Sequence, residues 1–327
     1  MNHPPAQRPA PHPILVIVGP TAGGKTALAT ALAERLPGGG ECISADSMQV
    51  YRGMDIGTAK PTAEEQAAAR HHLIDIAEPD EAGFTVDNWL ERAERVIAEI
   101  RGRQRWPIVV GGTNLYVKAL LYGLFDGPEP DPALREHLQS LDDALLRERL
   151  ERIDPEAAGR IHHRDRKRTI RAIEVFEHTG QPISAWQRQW SGRPARDDAI
   201  LLGLIYSAEA INRRINARVK AMMEAGFADE VRRLYGEGRL GPQAREALGY
   251  KQLIEHFKGD RTLEEAVEQI KIRTRRFAKQ QRTWLRRFRA EPRSAWIEAD
   301  ELDFQTIVNK SLRAAERLAD TPIRDKL

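Results

Sequence analysis

Eight consecutive residues near the start of the chain have the types and spacing of a phosphate-binding loop (P-loop): Gly19, Pro20, Thr21, Ala22, Gly23, Gly24, Lys25 and Thr26. The glycines let the backbone approach a phosphate closely, and the N–H groups of the loop add to the positive end of the following helix dipole. Lys25 contributes a point charge, and the hydroxyl of Thr26 is placed to ligate Mg²⁺. The pattern therefore predicts a phosphate site with Mg²⁺ as its cofactor, but it does not say which phosphates are bound.

Three other positions could carry chemistry beside this loop. Asp46 follows a hydrophobic run, and a carboxylate at the carboxyl end of a parallel strand can act as a general base or hold a metal-bound water. A helix cap or a solvated loop acid fits the same position equally well. The segment Gly111-Gly112-Thr113 also follows a hydrophobic run, where it could contact a ligand or form a tight turn from strand to helix. Asp75 is a weaker candidate for the acid that holds the metal in P-loop NTPases.

The elements that must position these residues alternate along the chain. Hydrophobic runs predict buried strands over 14–18, 42–45, 107–110 and 200–206. Apolar spacing predicts helices over 25–36, 89–100, 208–225, 227–237, 262–289 and 304–318, and we expect helices to fill the remainder of the C-terminal region. This alternation favours an α/β fold, a P-loop NTPase-like parallel sheet flanked by helices.

A change of composition interrupts this core. A proline-rich linker over 126–132 and a break over 191–195 enclose a charged stretch that has helical spacing and no convincing strand. We therefore expect a disordered tail over 1–13, an α/β core with C-terminal helices over 14–124 and 199–327, and an all-helical insertion over 125–198.

Composition and charge restrict the class of protein. A single cysteine, Cys42, excludes an internal disulfide framework and a multi-cysteine zinc site. No run of about 18 apolar residues predicts a membrane helix. The proline-rich start of the chain does not have the pattern of a signal peptide. We therefore expect a cytoplasmic protein with no membrane contact, and nothing in the sequence requires more than a monomer.

Basic residues are concentrated in two places, although the net charge is only +3. Nine lysines and arginines and no acid lie between 271 and 289, and six lie between 160 and 171. Such local concentrations of positive charge favour a polyanionic ligand over a small metabolite.

Several longer blocks make the sequence similar to one known family, the bacterial tRNA dimethylallyltransferases (tRNA isopentenyl transferases). Besides the P-loop, they are 44–61, 111–116, 165–176, 247–252 and 274–286, in the family's order. The resemblance covers residues 14 to 290, approximately. It implies transfer of a dimethylallyl group from dimethylallyl diphosphate to N6 of adenosine 37 in the anticodon stem-loop of tRNA, with release of diphosphate.

The resemblance also implies residue roles where the local motif matches. Asp46 would be the general base, Thr113 would hydrogen-bond near the reacting centre, and Arg218 would help Lys25, Thr26 and Mg²⁺ to neutralise the leaving diphosphate. The implied tRNA-binding residues are Asp46, Ser47, Met48, Gln49, Arg135, Lys167, Arg168, Thr169, Ile170, Arg171, Glu246, Ala247, Leu248, Gly249, Tyr250 and Lys251. The helical insertion would thus be a tRNA-binding domain.

The basic C-terminal helix allows two interpretations. Phe277, Gln281, Trp284, Leu285 and Phe288 recur at helical spacing, which predicts a buried stripe rather than a base-stacking surface. The basic residues on its other faces could hold phosphates or could be a solvated helix face.

Three other functions are compatible with parts of the sequence. An adenylate isopentenyltransferase acting on free AMP, ADP or ATP would not need the two basic clusters. A small-molecule P-loop kinase would use an arginine-rich lid, which the insertion could resemble, but it would not need block 44–61. A non-enzymatic RNA-binding protein would not need an intact Lys25-Thr26 pair or the acid Asp46.

Overall fold

The computed structural model describes residues 11–321 except 82, 125, 126, 130 and 192. Most of the tail expected over 1–13 lies outside the described residues. Residues 11–13 of this segment are described. The ring of His12 stacks on the Trp106 indole with 4.8 Å between ring centres, so this end of the predicted tail packs on the protein. The chain divides into two compact units, one formed by Met1–Leu121 and Arg196–Leu327, and the other by Tyr122–Ala195.

The larger unit is built on a six-stranded parallel sheet. Its strands are β1 (Ile14–Val18), β2 (Gly40–Ser44), β3 (His71–His72), β4 (Trp106–Val110), β5 (Ala199–Ile205) and β6 (Ser294–Glu298). The spatial order is β3-β2-β4-β1-β5-β6. β1, β2 and β4 are buried along their whole length, as expected for strands covered on both faces.

Helices flank the sheet, and the described part of the smaller unit is also helical. In chain order they are α1 (Lys25–Arg35), α2 (Ala63–Ala68), α3 (Val86–Gly102), α4 (Asn114–Tyr122), α5 (Pro132–Ser140), α6 (Asp143–Ile153), α7 (Pro155–Arg160), α8 (Arg166–Thr179), α9 (Ile183–Ser191), α10 (Ala208–Glu224), α11 (Phe227–Gly236), α12 (Tyr250–Phe257), α13 (Leu263–Phe288) and α14 (Phe304–Asp320). The predicted fold class, a P-loop-like parallel sheet flanked by helices, is confirmed. Within the described ranges, no helix is long and apolar enough to cross a membrane.

The register of the sheet determines where the candidate residues meet. Val110 at the end of β4 pairs with Ile17 of β1 and with Ser44 at the end of β2. The loops that follow these three strands therefore leave the sheet side by side, at the carboxyl ends of the strands. They are the P-loop, the segment that begins with Asp46, and Gly111-Gly112-Thr113.

The expectation that helices fill the C-terminal region was wrong in one place. The segment Ser294–Glu298 is a strand, β6, and it pairs in parallel with β5 through Leu201 to Ile205. This strand is difficult to recognise because it is short, lies at the edge of the sheet and buries only Ile297 fully. The two-residue strand β3 was also not predicted, since so short a segment has no periodicity to detect.

The smaller unit has its own apolar core, formed by leucines, isoleucines and alanines from α5 to α9. Three of its helices, α5, α7 and α8, begin at aspartate caps, because Asp131, Asp154 and Asp165 each accept a hydrogen bond from a backbone N–H of the first helical turn. In its described part the unit contains helices and no strand. The tRNA-binding role expected for this insertion stays a prediction.

Candidate active site

The P-loop joins β1 to α1 through unusual backbone conformations. Gly24, the N-cap of α1, has a φ of 79°, and Ala22 has a φ of 61°, a left-handed conformation that is uncommon for a residue with a side chain. The ammonium group of Lys25 donates a hydrogen bond to the carbonyl of Pro20 at 2.9 Å. The loop lines a pocket of about 540 Å³, which we call the P-loop pocket.

Side chains from distant elements hold this loop in place. The hydroxyl of Tyr206, which directly follows β5, donates to the carbonyl of Gly23 at 3.0 Å. Arg214 of α10 donates to the carbonyl of Ala22 at 2.8 Å. Gln281 of α13 accepts the N–H of Thr21 at 2.8 Å. The loop is therefore preorganised by contacts with three elements, which favours a fixed set of anion-binding groups.

Gln281 also connects the loop to a second part of the site. Its amide nitrogen donates to the carbonyl of Gly112 at 2.9 Å, and its side chain is buried. The helical spacing of the sequence predicts that Gln281 is buried, and it is. The hydrogen bonds across the pocket could not be inferred from spacing, because their partners are 260 and 169 residues away.

The charges around the P-loop pocket favour an anionic ligand. Burial and the charge of Arg218 lower the pKa of Lys25 to about 8, while Asp46 acts in the opposite direction. Burial also lowers the pKa of Arg218, again opposed by Asp46. Two cations are thus held close to each other with one nearby carboxylate. A polyanion entering the pocket would relieve their repulsion.

The structure brings Asp46 and Thr113 together at the ends of β2 and β4. Asp46 accepts the backbone N–H of Met48 at 2.9 Å, which fixes one carboxylate oxygen. The Thr113 hydroxyl accepts the N–H of Ser47 at 2.9 Å, and the Thr113 N–H donates to the carbonyl of Ala45 at 3.1 Å. The two segments are therefore cross-linked by hydrogen bonds, and Asp46 faces the P-loop pocket as one of its lining residues.

Position 111 requires glycine because another segment of the chain passes close to it, and not because a ligand does. A Cβ atom at Gly111 would lie 2.2 Å from the carbonyl oxygen of Ala45. Gly111 therefore allows the segment after β2 to pass close to the end of β4, and this approach positions Asp46.

A second pocket, of about 260 Å³, adjoins the first; we call it the Asp46 pocket. It shares Thr21, Asp46, Thr58, Arg218 and Phe277 with the P-loop pocket. Its other lining residues include Ser47, Met48, Thr113, Glu246, Ala247, Leu248 and Tyr250. Two segments that the sequence indicated as tRNA-binding, 46–49 and 246–251, are thus brought to one pocket although 200 residues separate them.

A buried carboxylate that sequence reasoning missed connects Tyr250 of the second segment to the backbone of residues 55–57. Glu230 of α11 accepts the N–H groups of Asp55, Ile56 and Gly57 at 2.8 to 3.1 Å and the hydroxyl of Tyr250 at 2.5 Å. Four donors satisfy the carboxylate in the absence of a cation. Glu230 could not be recognised from the sequence, because the backbone groups that it binds are far away along the chain.

Several predicted tRNA-binding side chains in the larger unit have structural partners. Gln49 is buried, accepts the Ser44 hydroxyl at 2.8 Å and donates to the carbonyl of Ala59 at 3.0 Å. Tyr250 is fully buried, and Lys251 pairs with Glu246 at 2.8 Å on the surface. Of these side chains, only Lys251 and Glu246 are exposed.

The predicted tRNA-binding residues of the smaller unit also differ in exposure. Thr169 and Ile170 are buried, so their side chains belong to the core of this unit. Arg135 and Arg171 both pair with the buried Glu174, at 2.9 and 2.6 Å. The exposed cations of the segment are Lys167 and Arg168. Arg168 pairs only loosely, at 3.5 Å, with its neighbour Asp165.

One sequence-based expectation was wrong, and the weaker of the two acid candidates lies outside the pocket. Phe277 does not lie in the buried stripe of α13, since 39% of it is exposed and it lines both pockets. The helical spacing is correct, but this turn of α13 faces an open pocket instead of packed side chains. Asp75 pairs with Lys60 at 2.5 Å, whereas Asp46 is the aspartate that lines the P-loop pocket. Asp75 therefore does not have the position of a metal-binding acid.

The donor set of the P-loop pocket fits Mg²⁺. The hydroxyl of Thr26 and the carboxylate of Asp46 both line this pocket, and oxygen atoms are the ligands that Mg²⁺ prefers. In the described part of the chain, no group of three or more His, Cys, Asp or Glu residues could hold a metal ion alone. Mg²⁺ commonly binds through one or two protein oxygens together with substrate phosphates and water, which this pocket allows.

A phosphate-binding loop at the end of β1, with an acid and a hydroxyl on adjacent strand ends, defines a P-loop enzyme. The sequence model described as IPP transferase matches residues 49–288. The tRNA dimethylallyltransferase of Syntrophobacter fumaroxidans is 45% identical over 318 residues, which are 95% of this chain and 90% of that protein. The tRNA dimethylallyltransferase of Shouchella clausii is 48% identical over 294 residues, which are 88% of this chain and 92% of that protein. The chain belongs to the IPP transferase family, and the predicted family and enzyme class are confirmed.

Solved structures agree with this assignment. A tRNA isopentenylpyrophosphate transferase from Bacillus halodurans has a TM-score of 0.67 and 39% identity, and the alignment covers 94% of this chain and 98% of that one. A eukaryotic dimethylallyltransferase described as acting on tRNA has a TM-score of 0.79 and 25% identity, with 96% of this chain and 81% of that one covered.

Proposed function

We propose that this chain transfers the dimethylallyl group of dimethylallyl diphosphate to N6 of adenosine 37 in tRNA and releases diphosphate. The main observation in support of the proposal is that the two pockets meet at Asp46 and Arg218, which line both of them. An anion site and a pocket bordered by the expected tRNA-binding segments meet at a carboxylate. The names of the curated relatives support the same reaction.

The P-loop pocket would hold the diphosphate of the donor. Backbone N–H groups, Lys25 and Arg218 face the position where negative charge increases as the allylic C–O bond breaks. The Thr26 hydroxyl would hold Mg²⁺, which would supply further positive charge to the diphosphate. No nucleotide hydrolysis is needed, because the departing group is itself the phosphate ligand of the loop.

Asp46 would accept the proton that N6 loses as the new N–C bond forms. An exocyclic amine is a poor nucleophile because its lone pair is delocalised into the ring, so removal of the proton as the bond forms assists the reaction. The Met48 N–H orients the carboxylate, and Thr113 stabilises the segment next to it. The products are the N6-prenylated base, diphosphate and protonated Asp46.

The target base must leave its stack to reach a buried electrophile, so the tRNA has to be held firmly around the site. One face of α13 carries four basic residues that line a pocket of about 420 Å³ beside Pro20: Lys279, Arg282, Arg286 and Arg289. Their spacing of three and four residues places them on the same side of the helix. They would contact backbone phosphates, and the exposed Lys167 and Arg168 would add contacts from the smaller unit.

The experiment that tests the reaction is incubation with labelled dimethylallyl diphosphate and either tRNA or AMP. We expect label in tRNA only. Label in AMP alone would identify an adenylate isopentenyltransferase, and the absence of any transfer would exclude prenyl transfer to both acceptors. A parallel incubation with ATP tests a kinase, which would consume ATP in the presence of its substrate.

The role of Asp46 can be separated from tRNA binding. Asp46→Ala should lose most of the transfer rate and retain the affinity for tRNA measured by filter binding. Turnover within a fewfold of the unchanged protein would exclude Asp46 as general base.

The role of the smaller unit is tested by its salt dependence. Removal of the charges of Lys167 and Arg168 should weaken tRNA binding and reduce the slope of log affinity against log salt concentration. Arg149, which pairs with Glu177 at 2.7 Å, provides the control substitution in the same unit. An unchanged slope in the double variant would contradict a tRNA contact at this segment.

The remaining expectations concern assembly and location. A single chain supplies all residues that line the two pockets, so we propose a monomer, which sedimentation equilibrium would test. We also propose a cytoplasmic location, because the proposed substrate is a tRNA.

A further inference from the structure

Phe277 occupies a position where three pockets meet. It lines the P-loop pocket and the Asp46 pocket, and it also lines a third pocket of about 490 Å³ on the surface of α12 and α13. The third pocket is bordered by Lys251, Arg273 and Arg276. A ligand that extends from the basic surface to the reacting centre would therefore pass over the Phe277 ring.

The Phe277 ring is available for contact. It is 39% exposed, while its neighbour Ala278 is fully buried and attaches this turn of α13 to the core. Within the described ranges, no other ring and no cation stacks on Phe277. By contrast, the rings of Phe84 and Phe257 each carry an arginine, Arg92 at 5.9 Å and Arg232 at 5.0 Å.

The charges beside the ring are also available. Arg273 and Arg276 are exposed, and neither has an acidic partner in the described part of the chain. Arg275, on another side of the helix, pairs with Glu268 at 3.2 Å. An exposed aromatic ring between cationic side chains is the arrangement with which proteins bind unpaired nucleotides, because the base stacks on the ring and the cations hold the backbone.

We propose that Phe277 is a stacking platform for the extruded adenosine of the tRNA loop at the entrance to the Asp46 pocket. The proposal rests on the proposed function, since it assumes that tRNA is the acceptor. A base that leaves its stack loses its stacking partners, and the Phe277 ring replaces one of them next to Asp46. The ring thereby holds the extruded base in place and orients N6.

Three substitutions distinguish stacking from simple packing. Phe277→Leu keeps an apolar side chain without a ring, Phe277→Ala removes most of it, and Phe277→Tyr keeps the ring. We expect the Leu and Ala variants to raise the Kd and KM for tRNA by about 5- to 100-fold. The Tyr variant should remain close to the unchanged protein, and the KM for dimethylallyl diphosphate should stay constant in all three.

A spectroscopic measurement reports stacking without turnover. An anticodon stem-loop with 2-aminopurine at the target position lacks N6 and cannot react, and its fluorescence decreases when the base stacks. Binding to the unchanged protein and to Phe277→Tyr should leave the probe quenched, whereas binding to Phe277→Leu at saturating protein should leave it bright. Phe304→Leu is the matched control, since Phe304 is also exposed and lies on α14 away from the three pockets.

Two results would overturn the proposal. One is a Leu variant with the tRNA affinity and the probe quenching of the unchanged protein. The other is an increase only in the KM for dimethylallyl diphosphate, which would place the ring against the prenyl group. Failure of the unchanged protein to prenylate tRNA is a different outcome, because it contradicts the proposed function itself.

Discussion

Replacement of Gln281 by methionine preserves the length and approximate volume of the side chain but removes both of its hydrogen bonds at the phosphate site. Gln281 accepts the Thr21 N–H at 2.8 Å and donates to the Gly112 carbonyl at 2.9 Å, and it is buried. A hydrogen bond of this kind contributes about 0.5–1.5 kcal/mol net, so two contribute about 1–3 kcal/mol. If this free energy is lost from the transition state, kcat/KM falls by about 5- to 160-fold.

The assay is steady-state transfer of label from dimethylallyl diphosphate to tRNA, with thermal unfolding measured on the same samples. We expect a lower kcat/KM in Gln281→Met and a Tm lower by a few degrees. The control is Gln305→Met, because Gln305 is an exposed glutamine of α14 that lines neither the P-loop pocket nor the Asp46 pocket. A kcat/KM of Gln281→Met within twofold of the unchanged protein would show that the connection between the P-loop and the end of β4 does not matter for the reaction.

Three further predictions follow from the same site. The pKa of Lys25 is lowered to about 8, so its ammonium is charged below this pH and neutral above it. The KM for dimethylallyl diphosphate should therefore rise as the pH increases through 8. A KM that stays constant up to about pH 9.5 would contradict a role for this charge. Glu230→Gln should lower the midpoint of urea unfolding, because the buried carboxylate accepts four hydrogen bonds and its loss costs about 2 kcal/mol or more. Glu237→Gln, which removes a surface pair at the opposite, C-terminal end of the same helix, should leave the midpoint unchanged. Gly111→Ala should reduce both stability and activity, because its Cβ would lie 2.2 Å from a carbonyl oxygen, whereas Gly102→Ala, with no atom within 4 Å, should reduce neither.

Much of the fold could be predicted because its signals are local. The strands around the P-loop are short runs of buried aliphatic residues, and the long helices have clear apolar spacing. Strand β6 was missed because an edge strand buries one face only partly and its pattern resembles that of a loop. The position of Glu230 could not be predicted because the carboxylate is satisfied by backbone groups more than 170 residues away.

The sequence by itself determined the phosphate-binding loop and the family. A P-loop holds phosphate mainly through consecutive backbone N–H groups, so its chemistry is contained in eight adjacent residues. Tertiary structure alone decided which distant side chains complete the site. Asp46, Arg218 and Gln281 converge because parallel strands end at one edge of the sheet and two helices pack beside that edge. The tertiary structure also decided that Phe277 faces an open pocket, although its position has the spacing of a core residue. Helical spacing shows which residues share a face of a helix, but not what packs against that face.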